Sequence, residues 1–474
     1  MEDPRYRRLA CELAERIREG VYRPGEHFPS LRKTVERHGV SLTTAQSAYA
    51  LLESWRLIES RPRSGYYVRD TIAPPVEPSP EPMQPPVAVE IRHEAAEVLR
   101  LCQREGVLDL GTAIPSAEFL PVERLRRAIG RVVRERMAEV VGMQFSAGMA
   151  CLRRELAKRM ADAGCAVSPE HIVVTNGGQE ALLLSLRAMT RPGDTVAVES
   201  PTYVGLLQAL ESLGLHALEI PSHPREGVSL EALELALAQW EIRACAFMTA
   251  NSNPSGASMP LERKRRLVEM LAEHGIPLVE DDEFGDLAEA GRRAPAAKSF
   301  DRQGLVSYCA SVSKSLAPGL RVGWCVPGRF QEEVMFMKSF SSVSTPALCQ
   351  MAVAEMMADG SYDRHLRQVH IRYAAQVQRF SAAIARHFPR GTTVSRPSGG
   401  YVLWVGLPEE SDAAVLYRLA LREGVGIMPG HLFSASGRYR NYLRLNCAVP
   451  WSERVEHAVM TLGRLAASAE VVSR

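Results

Sequence analysis

The chain has 474 residues, of which 46% are hydrophobic and 24% are charged, as in a soluble globular protein with two or three domains. Its net charge is only +2, so gross basicity does not indicate a nucleic-acid partner, although residues 1–70 hold 13 Lys and Arg against 10 Asp and Glu. There is no apolar leader or 18-residue apolar run, and the nine cysteines include no CxxC pair, which predicts a cytoplasmic protein with free thiols rather than a membrane, disulfide-bonded or zinc protein.

The first 70 residues show the pattern of a helix-turn-helix followed by a hairpin. Ser30 and Ser41 each stand where a helix N-cap is expected, and a glycine separates the two helices that they begin. Two short extended runs then flank an arginine-rich tip, which is typical of a wing. The predicted helices and hairpin cover residues 9–20, 29–39, 40–57 and 58–68. A small three-helix bundle with a purely structural role would show the same periodicity.

A proline-rich segment follows. Residues 70–88 contain seven prolines, and proline both fixes φ and removes a backbone donor. The segment is therefore predicted to be an extended linker. It divides the chain into a small domain at 1–70, a linker at 71–90 and a large domain at 91–474.

The large domain alternates short β-branched runs with helical stretches. Examples of such runs are residues 171–176, 195–200 and 276–281. This alternation predicts an α/β fold around a mostly parallel sheet. Ligands in such folds bind at the C-terminal ends of the strands.

Chemistry-bearing residues follow several of these predicted strands. The Gly-Gly-Gln turn that ends at Gln179 could offer backbone N–H groups to a phosphate, and Tyr203 could stack on a flat ring. Asn253 lies in a turn before a proline, and the acidic residues that include Asp281 could pair with a protonated ring nitrogen. Each signal alone also has a structural interpretation, such as a loop glycine, a rim tyrosine or a solvated acidic loop.

The stretch SVSKSLAPGLRVGW, residues 311–324, places Lys314 among hydroxyls, with Arg321 seven residues further on. This spacing would put an amine near a carbonyl and a cation near a phosphate. A free lysine is a poor nucleophile, so a reactive one must be desolvated or lie near another cation. Considered alone, Lys314 could equally be a surface residue.

Residues 5–69 resemble the winged-helix domain of GntR-type transcription regulators. The stretch GVYRPGEHFPSLRKTVERHGVSLTTAQSAYALLE carries that resemblance. It implies DNA binding through helix hydroxyls on phosphates, side chains on base edges and a wing tip in the minor groove. The residues at the corresponding positions are Arg32, Ser41, Thr43, Thr44, Gln46, Ser64 and Gly65. Where many members carry arginine, this chain has Leu42.

Residues 100–465 resemble the class I/II, fold-type I aminotransferases that use pyridoxal 5'-phosphate. The resemblance implies that Lys314 forms the Schiff base with the cofactor and that Arg444, in YLRLNCA, grips a substrate carboxylate. It also implies a cofactor site formed by Gly178, Gln179, Tyr203, Asn253, Asp281, Ser311, Ser313, Lys314 and Arg321. Tyr203 would stack on the pyridine ring, Asn253 would bond its 3-hydroxyl, and Asp281 would pair with the ring nitrogen.

Two further positions depart from the aminotransferase pattern. Phe284 stands where many members have a tyrosine, which removes one hydrogen bond to the cofactor's 3-oxygen. Phe145, in MQFSAG, lies near the position of a tyrosine that commonly reaches the partner subunit's phosphate.

The combination resembles the MocR subfamily of GntR regulators. It implies a head-to-tail homodimer in which pyridoxal phosphate, or an amine or amino acid captured there, changes affinity for operator DNA. A working aminotransferase is the alternative, because every residue needed for the first half-reaction is present. A DNA-binding protein whose large domain only dimerises is a third, but dimerisation alone has no use for Lys314, Asp281 and Arg321 together.

Overall fold

The computed structural model describes residues 4–18, 21–22, 25–55, 57–61, 64–68, 83–143, 147–288 and 293–468. The chain forms two compact units, Met1–Pro75 and Val76–Arg474. Most of the predicted linker, and Phe145, lie outside the described residues. No helix in the described ranges is long and apolar enough to cross a membrane.

The small unit is a three-helix winged domain, as the sequence predicts. Ser30 Oγ accepts a hydrogen bond from Lys33 N, and Gly39 ends the same helix in the left-handed conformation (φ 60°). Ser41 Oγ accepts from Thr44 N at 3.1 Å and so begins the next helix. The elements are α1 (Arg5–Arg18), α2 (Leu31–His38), α3 (Leu42–Ser54), β1 (Ile58–Arg61) and β2 (Gly65–Val68), the two strands being antiparallel.

The core of this unit is aromatic and aliphatic. Phe28, Tyr49 and Leu52 are fully buried among the three helices and the hairpin. The Tyr49 hydroxyl is held between Thr34 Oγ1 at 2.6 Å and the Pro29 carbonyl at 2.7 Å. The buried faces of the helices therefore fix which residues of α2 and α3 remain exposed.

The large unit is built on one large sheet with helices and a smaller sheet around it. Among the described residues its helices are α4 (Arg92–Cys102), α5 (Val122–Glu135), α6 (Met137–Val141), α7 (Ala150–Asp162), α8 (Gly178–Met189), α9 (Val204–Ser212), α10 (Leu230–Gln239), α11 (Leu261–Glu273), α12 (Gln331–Ser341), α13 (Ala347–Ala358), α14 (Ser361–His387), α15 (Ala413–Arg422) and α16 (Glu453–Ala466).

The large sheet is mixed, with most strands pointing one way. Its nine strands within the described ranges are β3 (Val87–Ala88), β5 (Val173–Thr175), β6 (Thr195–Ser200), β7 (His216–His223), β8 (Gly227–Val228), β9 (Ala244–Phe247), β10 (Leu278–Asp281), β11 (Val306–Ser311) and β12 (Gly323–Val326). The order is β3-β7-β6-β9-β10-β11-β12-β5, with β8 paired to β7. The central pairs from β7 to β11 are parallel, and β12 is antiparallel to both β11 and β5. The α/β prediction is confirmed.

The remaining strands lie in two smaller sheets. These are β13 (Thr393–Val394), β14 (Val402–Gly406), β17 (Tyr442–Asn446) and β16 (Met428–Pro429) in one sheet, and β15 (Val425–Gly426) with β4 (Leu108–Asp109) in the other. Arg444 lies on β17, and its side chain bonds that of Asn253, which follows β9 of the large sheet.

The direction of the strands decides where the site lies. Because β5, β6, β9, β10 and β11 point the same way, their C-terminal ends meet at one edge of the sheet. The loops after these strands carry Gly178, Tyr203, Asn253, Glu283 and Lys314. The sheet thus gathers residues that lie more than a hundred positions apart in the chain.

Candidate functional site

The strand ends enclose a small cavity with a mixed polar and apolar lining. Its volume is about 30 Å³. It is lined by Gly178, Gln179, Leu182, Tyr203, Met248, Asn253, Asp281, Glu283, Phe284 and Lys314. Six of the predicted cofactor-site residues are thus brought to one cavity.

Lys314 is not a surface lysine. Its Nζ donates a hydrogen bond to the Ala113 carbonyl at 2.9 Å, and the Tyr401 hydroxyl donates to the same oxygen at 3.1 Å. Burial lowers the pKa of Lys314, while the carboxylates of Glu283 and Asp281 oppose that change. A lowered pKa increases the fraction of neutral amine, which is the form that attacks a carbonyl.

Asp281 ends β10 with its side chain buried in the cavity wall. Burial raises the pKa of Asp281 to about 8, and the nearby charge of Glu283 contributes to that rise. Its Oδ1 accepts a hydrogen bond from Glu283 N at 3.1 Å. A buried carboxyl with so raised a pKa favours a cationic partner, since a positive charge would restore its ionised form.

The turn before α8 and the loop after β11 form an anion-binding cup. Gly177 caps α8 with φ 87°, and a Cβ there would lie 2.3 Å from an Arg321 guanidinium nitrogen. Arg321 donates to the Asn176 carbonyl at 3.0 Å and its Nη1 lies 3.5 Å from Ser313 Oγ. The first N–H groups of a helix are unpaired and carry partial positive charge, so helix end, hydroxyls and guanidinium together suit an anion.

The carboxyl group of Glu283 already lies in this cup. Glu283 Oε1 accepts a hydrogen bond from Ser311 Oγ at 2.7 Å, and Ser311 Oγ lies 2.8 Å from Ser313 Oγ. The other Glu283 oxygen is 2.6 Å from where a Cβ of Gly178 would be. A carboxylate side chain therefore occupies the position where the helix end and the two serines converge.

Tyr203 and Gln179 line the cavity in different ways. Tyr203 begins α9, and burial raises the pKa of its hydroxyl to about 12, so the ring presents a neutral face to the cavity. The Gln179 side chain donates instead to the Gly205 carbonyl at 2.6 Å. Its contribution to the cup is therefore limited to its backbone.

Arg444 contacts Asn253, one of the residues that line the cavity. It is 3% exposed, its Nη1 donates to Asn253 Oδ1 at 3.0 Å, and its Nη2 donates to the Gly111 carbonyl. Its Nε has no hydrogen-bond partner among the described residues. Burial lowers the pKa of Arg444 to about 10, so it is still a cation at neutral pH.

Sequence reasoning missed three contributors to the site. The sequence assigns no role to Glu283, but its carboxylate lies inside the cup. Met248 lines the cavity, and Tyr401 shares the Ala113 carbonyl with Lys314. Acidic residues directly after a buried strand end were the one available signal, since that edge of the sheet is where ligands bind.

Of the predicted DNA-contacting residues, all but Thr44 are exposed on the small unit. Arg32 on α2 and Gln46 on α3 are exposed, whereas Thr44 is half-buried by its contact with the Ser41 hydroxyl at 2.8 Å. Leu42 is 51% exposed at the N-terminus of α3. An exposed helix start with hydroxyls and amide groups suits phosphate contacts.

The tip of the wing is held by its own contacts. The Ser64 hydroxyl lies 2.7 Å from the Tyr67 hydroxyl, and the Arg61 guanidinium lies over the Tyr67 ring at 4.3 Å. Gly65 has φ 96°, and a Cβ there would lie 3.0 Å from the His27 ring. The left-handed backbone therefore favours glycine, and a Cβ would crowd the His27 ring.

Comparison with known proteins agrees with both units. Residues 105–462 match the family model for aminotransferase class I and II, and residues 5–68 match that for bacterial regulatory proteins of the gntR family. The chain is 41% identical over 461 residues to "Uncharacterized HTH-type transcriptional regulator YjiR" of Escherichia coli strain K12, covering 97% of this chain and 98% of that protein.

Two solved structures are similar to the large unit. The multiple substrate aminotransferase from Thermococcus profundus has a TM-score of 0.73 at 27% identity, covering 79% of this chain and 94% of its own. The alpha-aminoadipate aminotransferase LysN from Thermus thermophilus, complexed with N-(5'-phosphopyridoxyl)-L-leucine, has a TM-score of 0.71 at 31% identity. The match covers 78% of this chain and 96% of the LysN chain. A chain that joins a gntR-family helix-turn-helix domain to a domain of the aminotransferase class I and II family, a pyridoxal-phosphate-dependent fold family, belongs to the MocR-like subfamily of GntR-type regulators.

Proposed function

We propose that this protein is a DNA-binding transcription regulator whose large domain binds pyridoxal 5'-phosphate through Lys314 and senses an amine, an amino acid or the cofactor itself. The observation that carries the proposal is the half-buried Lys314 amine, which lines one cavity with Asp281 at the strand ends of a chain with a gntR-family domain.

The residues present fit the cofactor. Ser311 in the cup already donates a hydrogen bond to the carboxyl group of Glu283, and a phosphate would need a donor of the same kind. Asp281 is a buried acid whose raised pKa favours a cation, and a protonated pyridine nitrogen is such a cation. Tyr203 provides a ring at the cavity wall, and Asn253 provides an amide. Bound there, pyridoxal phosphate would supply an aldehyde that captures amines and a ring that withdraws electrons.

The protein's own groups would have separate roles. Lys314 Nζ would hold the aldehyde end of the cofactor, and the same amine could accept and return a proton. Ser311, Ser313, Arg321 and the first backbone N–H groups of α8 would bind the phosphate. Asp281 would keep the ring nitrogen protonated, and burial of these groups would exclude water.

Arg444 provides selectivity for a ligand with a carboxylate. Its guanidinium is buried and charged, and its Nε lacks a partner among the described residues. A guanidinium binds a carboxylate through two parallel hydrogen bonds. An α-amino acid would thus present its amine toward Lys314 and its carboxylate toward Arg444.

The small domain would be the output. Arg32, Ser41, Thr43, Thr44, Gln46, Ser64 and Gly65 are the residues that we propose contact DNA, with Arg32 and the hydroxyls on phosphates and Gln46 on a base edge. Binding an effector would change DNA affinity only as far as the effector prefers one conformation. We infer a head-to-tail homodimer from the family resemblance, and the exposed rings of Phe336 and Phe340, whose centroids lie 5.2 Å apart, give the large domain an apolar patch that supports a self-interface.

Catalysis of transamination is the second candidate. The buried, partly unsatisfied Arg444 favours it, since a carboxylate grip is useful to an enzyme as well as to a sensor. The similar LysN structure is that of an aminotransferase. The two candidates differ in whether the captured amine leaves as a keto acid.

One experiment tests the proposal. Duplexes selected from a random library would give a DNA target, and its Kd would be measured for the cofactor-loaded protein with and without a panel of amines and amino acids. We expect at least one ligand to change that Kd by about fivefold or more, and the effect to be lost in Lys314→Ala. A DNA affinity that responds neither to the cofactor nor to any ligand would refute sensing. Conversion of the loaded cofactor to pyridoxamine phosphate would identify transamination.

A further inference from the structure

The side chain of Glu283 has no part in the proposed chemistry, yet it occupies the centre of the anion-binding cup. Its Oε1 accepts from Ser311 Oγ at 2.7 Å, and its other oxygen lies against Gly178 at the start of α8. Burial raises the pKa of Glu283, while the nearby positive charges of Lys314 and Arg321 oppose that change and favour its ionised form. Ser311, Arg321 and the start of α8 are also groups that would bind the cofactor's phosphate.

The cup offers one set of donors to an anion, and Glu283 already uses them. Ser311 Oγ donates to one oxygen of the Glu283 carboxylate, and the other oxygen lies against Gly178 at the start of α8. Two anions in one cup would also repel each other, and one helix end with one pair of serines cannot compensate both charges. A phosphate and the Glu283 carboxylate therefore exclude each other.

The neighbours of Glu283 on both sides are held through their side chains. Asp282 accepts from the Tyr308 hydroxyl at 2.8 Å and pairs with Arg293. Asp286 pairs with Arg159 at 3.0 Å and accepts from the Tyr362 hydroxyl at 2.8 Å. Release of the cup would thus require rotation of the Glu283 side chain rather than opening of the loop.

We propose that Glu283 is a built-in competitor for the cofactor's phosphate, so that pyridoxal phosphate binds only by displacing this carboxylate from Ser311 and the start of α8. The inference rests on the proposed function, because it assumes that this cup is the cofactor's phosphate site. The apparent affinity for the cofactor is then reduced by the fraction of molecules in which the cup is blocked. Occupancy would follow the free cofactor concentration, which makes the cofactor itself a ligand that the protein can sense.

The test is a titration of the cofactor-free full-length protein with pyridoxal phosphate. Kd would be measured from the absorbance of the bound cofactor for wild type, Glu283→Ala and Glu283→Gln. Glu269→Ala, at an exposed position on α11, is the matched control. A second series would measure the shift in Tm caused by inorganic phosphate, which needs no Schiff-base chemistry.

We expect Glu283→Ala to bind the cofactor at least about tenfold more tightly than wild type, because one hydrogen bond between the cup and a charged group no longer competes. Glu283→Gln keeps the size and loses the charge, so its Kd should fall between the two, and Glu269→Ala should match wild type. Phosphate should raise the Tm of Glu283→Ala at concentrations that leave wild type unchanged.

Wild-type or weaker affinity in both Glu283 variants would overturn the inference and leave the proposed function intact. If no protein bound pyridoxal phosphate, the proposed function would fail, and the phosphate series would decide the inference alone. A phosphate response confined to the Glu283 variants would support it, and an equal response in wild type would overturn it. Should Glu283→Ala fail to fold, Glu283→Gln carries the same comparison.

Discussion

Replacement of Arg444 by glutamine should weaken binding of amino acids selectively. The guanidinium is 3% exposed, and its Nη1 and Nη2 are bonded to the Asn253 side chain and the Gly111 carbonyl. Its Nε has no hydrogen-bond partner among the described residues. Because burial lowers its pKa only to about 10, the group is still charged at pH 7, and both of its bonded partners are neutral.

The expected loss follows from the hydrogen bonds that a carboxylate would gain. A hydrogen bond to a charged group contributes about 1.5–3 kcal/mol, and a guanidinium offers two to a carboxylate. Taking the lower value for each, Arg444→Gln should cost about 3 kcal/mol, or roughly a hundredfold in Kd. Glutamine can still donate one neutral hydrogen bond, so the loss should not exceed the cost of removing both bonds.

The assay compares two ligands that differ by one carboxylate. The cofactor-loaded protein would be titrated with L-norleucine and with 1-pentylamine, and binding followed by the cofactor's absorbance. Arg444→Gln should weaken norleucine about a hundredfold and pentylamine less than about threefold. Arg440→Gln is the control, since Arg440 is 76% exposed and its ion pair with Asp412 lies on the surface. An equal loss for both ligands would refute a carboxylate-binding role for Arg444.

Four further predictions test the other roles. Lys314→Ala should abolish borohydride trapping of the cofactor, measured by mass spectrometry; trapping in the variant would mean that another amine carries it. Arg32→Ala should weaken DNA binding on all sequences and reduce the salt slope by about one, whereas Gln46→Ala should relax preference at one base by about 1–3 kcal/mol; equal losses for both would contradict separate roles. Because burial raises the pKa of Asp281 from 3.8 to about 8, ionisation disfavours the folded state increasingly from about pH 4 to pH 8. The stability advantage of Asp281→Asn in urea unfolding of the cofactor-free protein should therefore be larger at pH 8 than at pH 5, and a constant difference would argue against the shift. Phe284→Tyr should speed single-turnover formation of pyridoxamine phosphate about five- to tenfold, and an unchanged or slower rate would show that Phe284 only packs.

The sequence alone was sufficient for the elements whose signals are local. Ser30 and Ser41 cap α2 and α3 as expected, because an N-cap needs only a hydroxyl three residues before an unpaired N–H. The alternation of strands and helices likewise indicated the α/β fold, since a buried parallel strand requires a short apolar run between helices. Both units of the chain were recognisable in this way.

The order of chemistry-bearing residues also predicted that they would meet at one edge of the sheet. Gly178, Tyr203, Asn253, Asp281 and Lys314 each lie at or just after the end of a strand, and the strands' common direction brings them to one cavity. Strands that point the same way end at the same edge of the sheet, so these residues meet because of the topology and not because they are close in the sequence. Their cofactor roles remain predictions that the experiments above address.

The tertiary structure alone decided which acid points where. Asp281, Asp282 and Glu283 are consecutive, and apart from the family resemblance that singles out Asp281, no local pattern distinguishes them. In the fold, Asp281 lies at the cavity wall, Asp282 pairs with Arg293, and Glu283 enters the cup beside Ser311. The difference arises because Ser311 and Gly178 come from β11 and α8, elements that only the packed sheet brings beside β10. A sequence records that a carboxylate is present, but its partner, and hence its pKa and role, depends on groups that are distant in the chain.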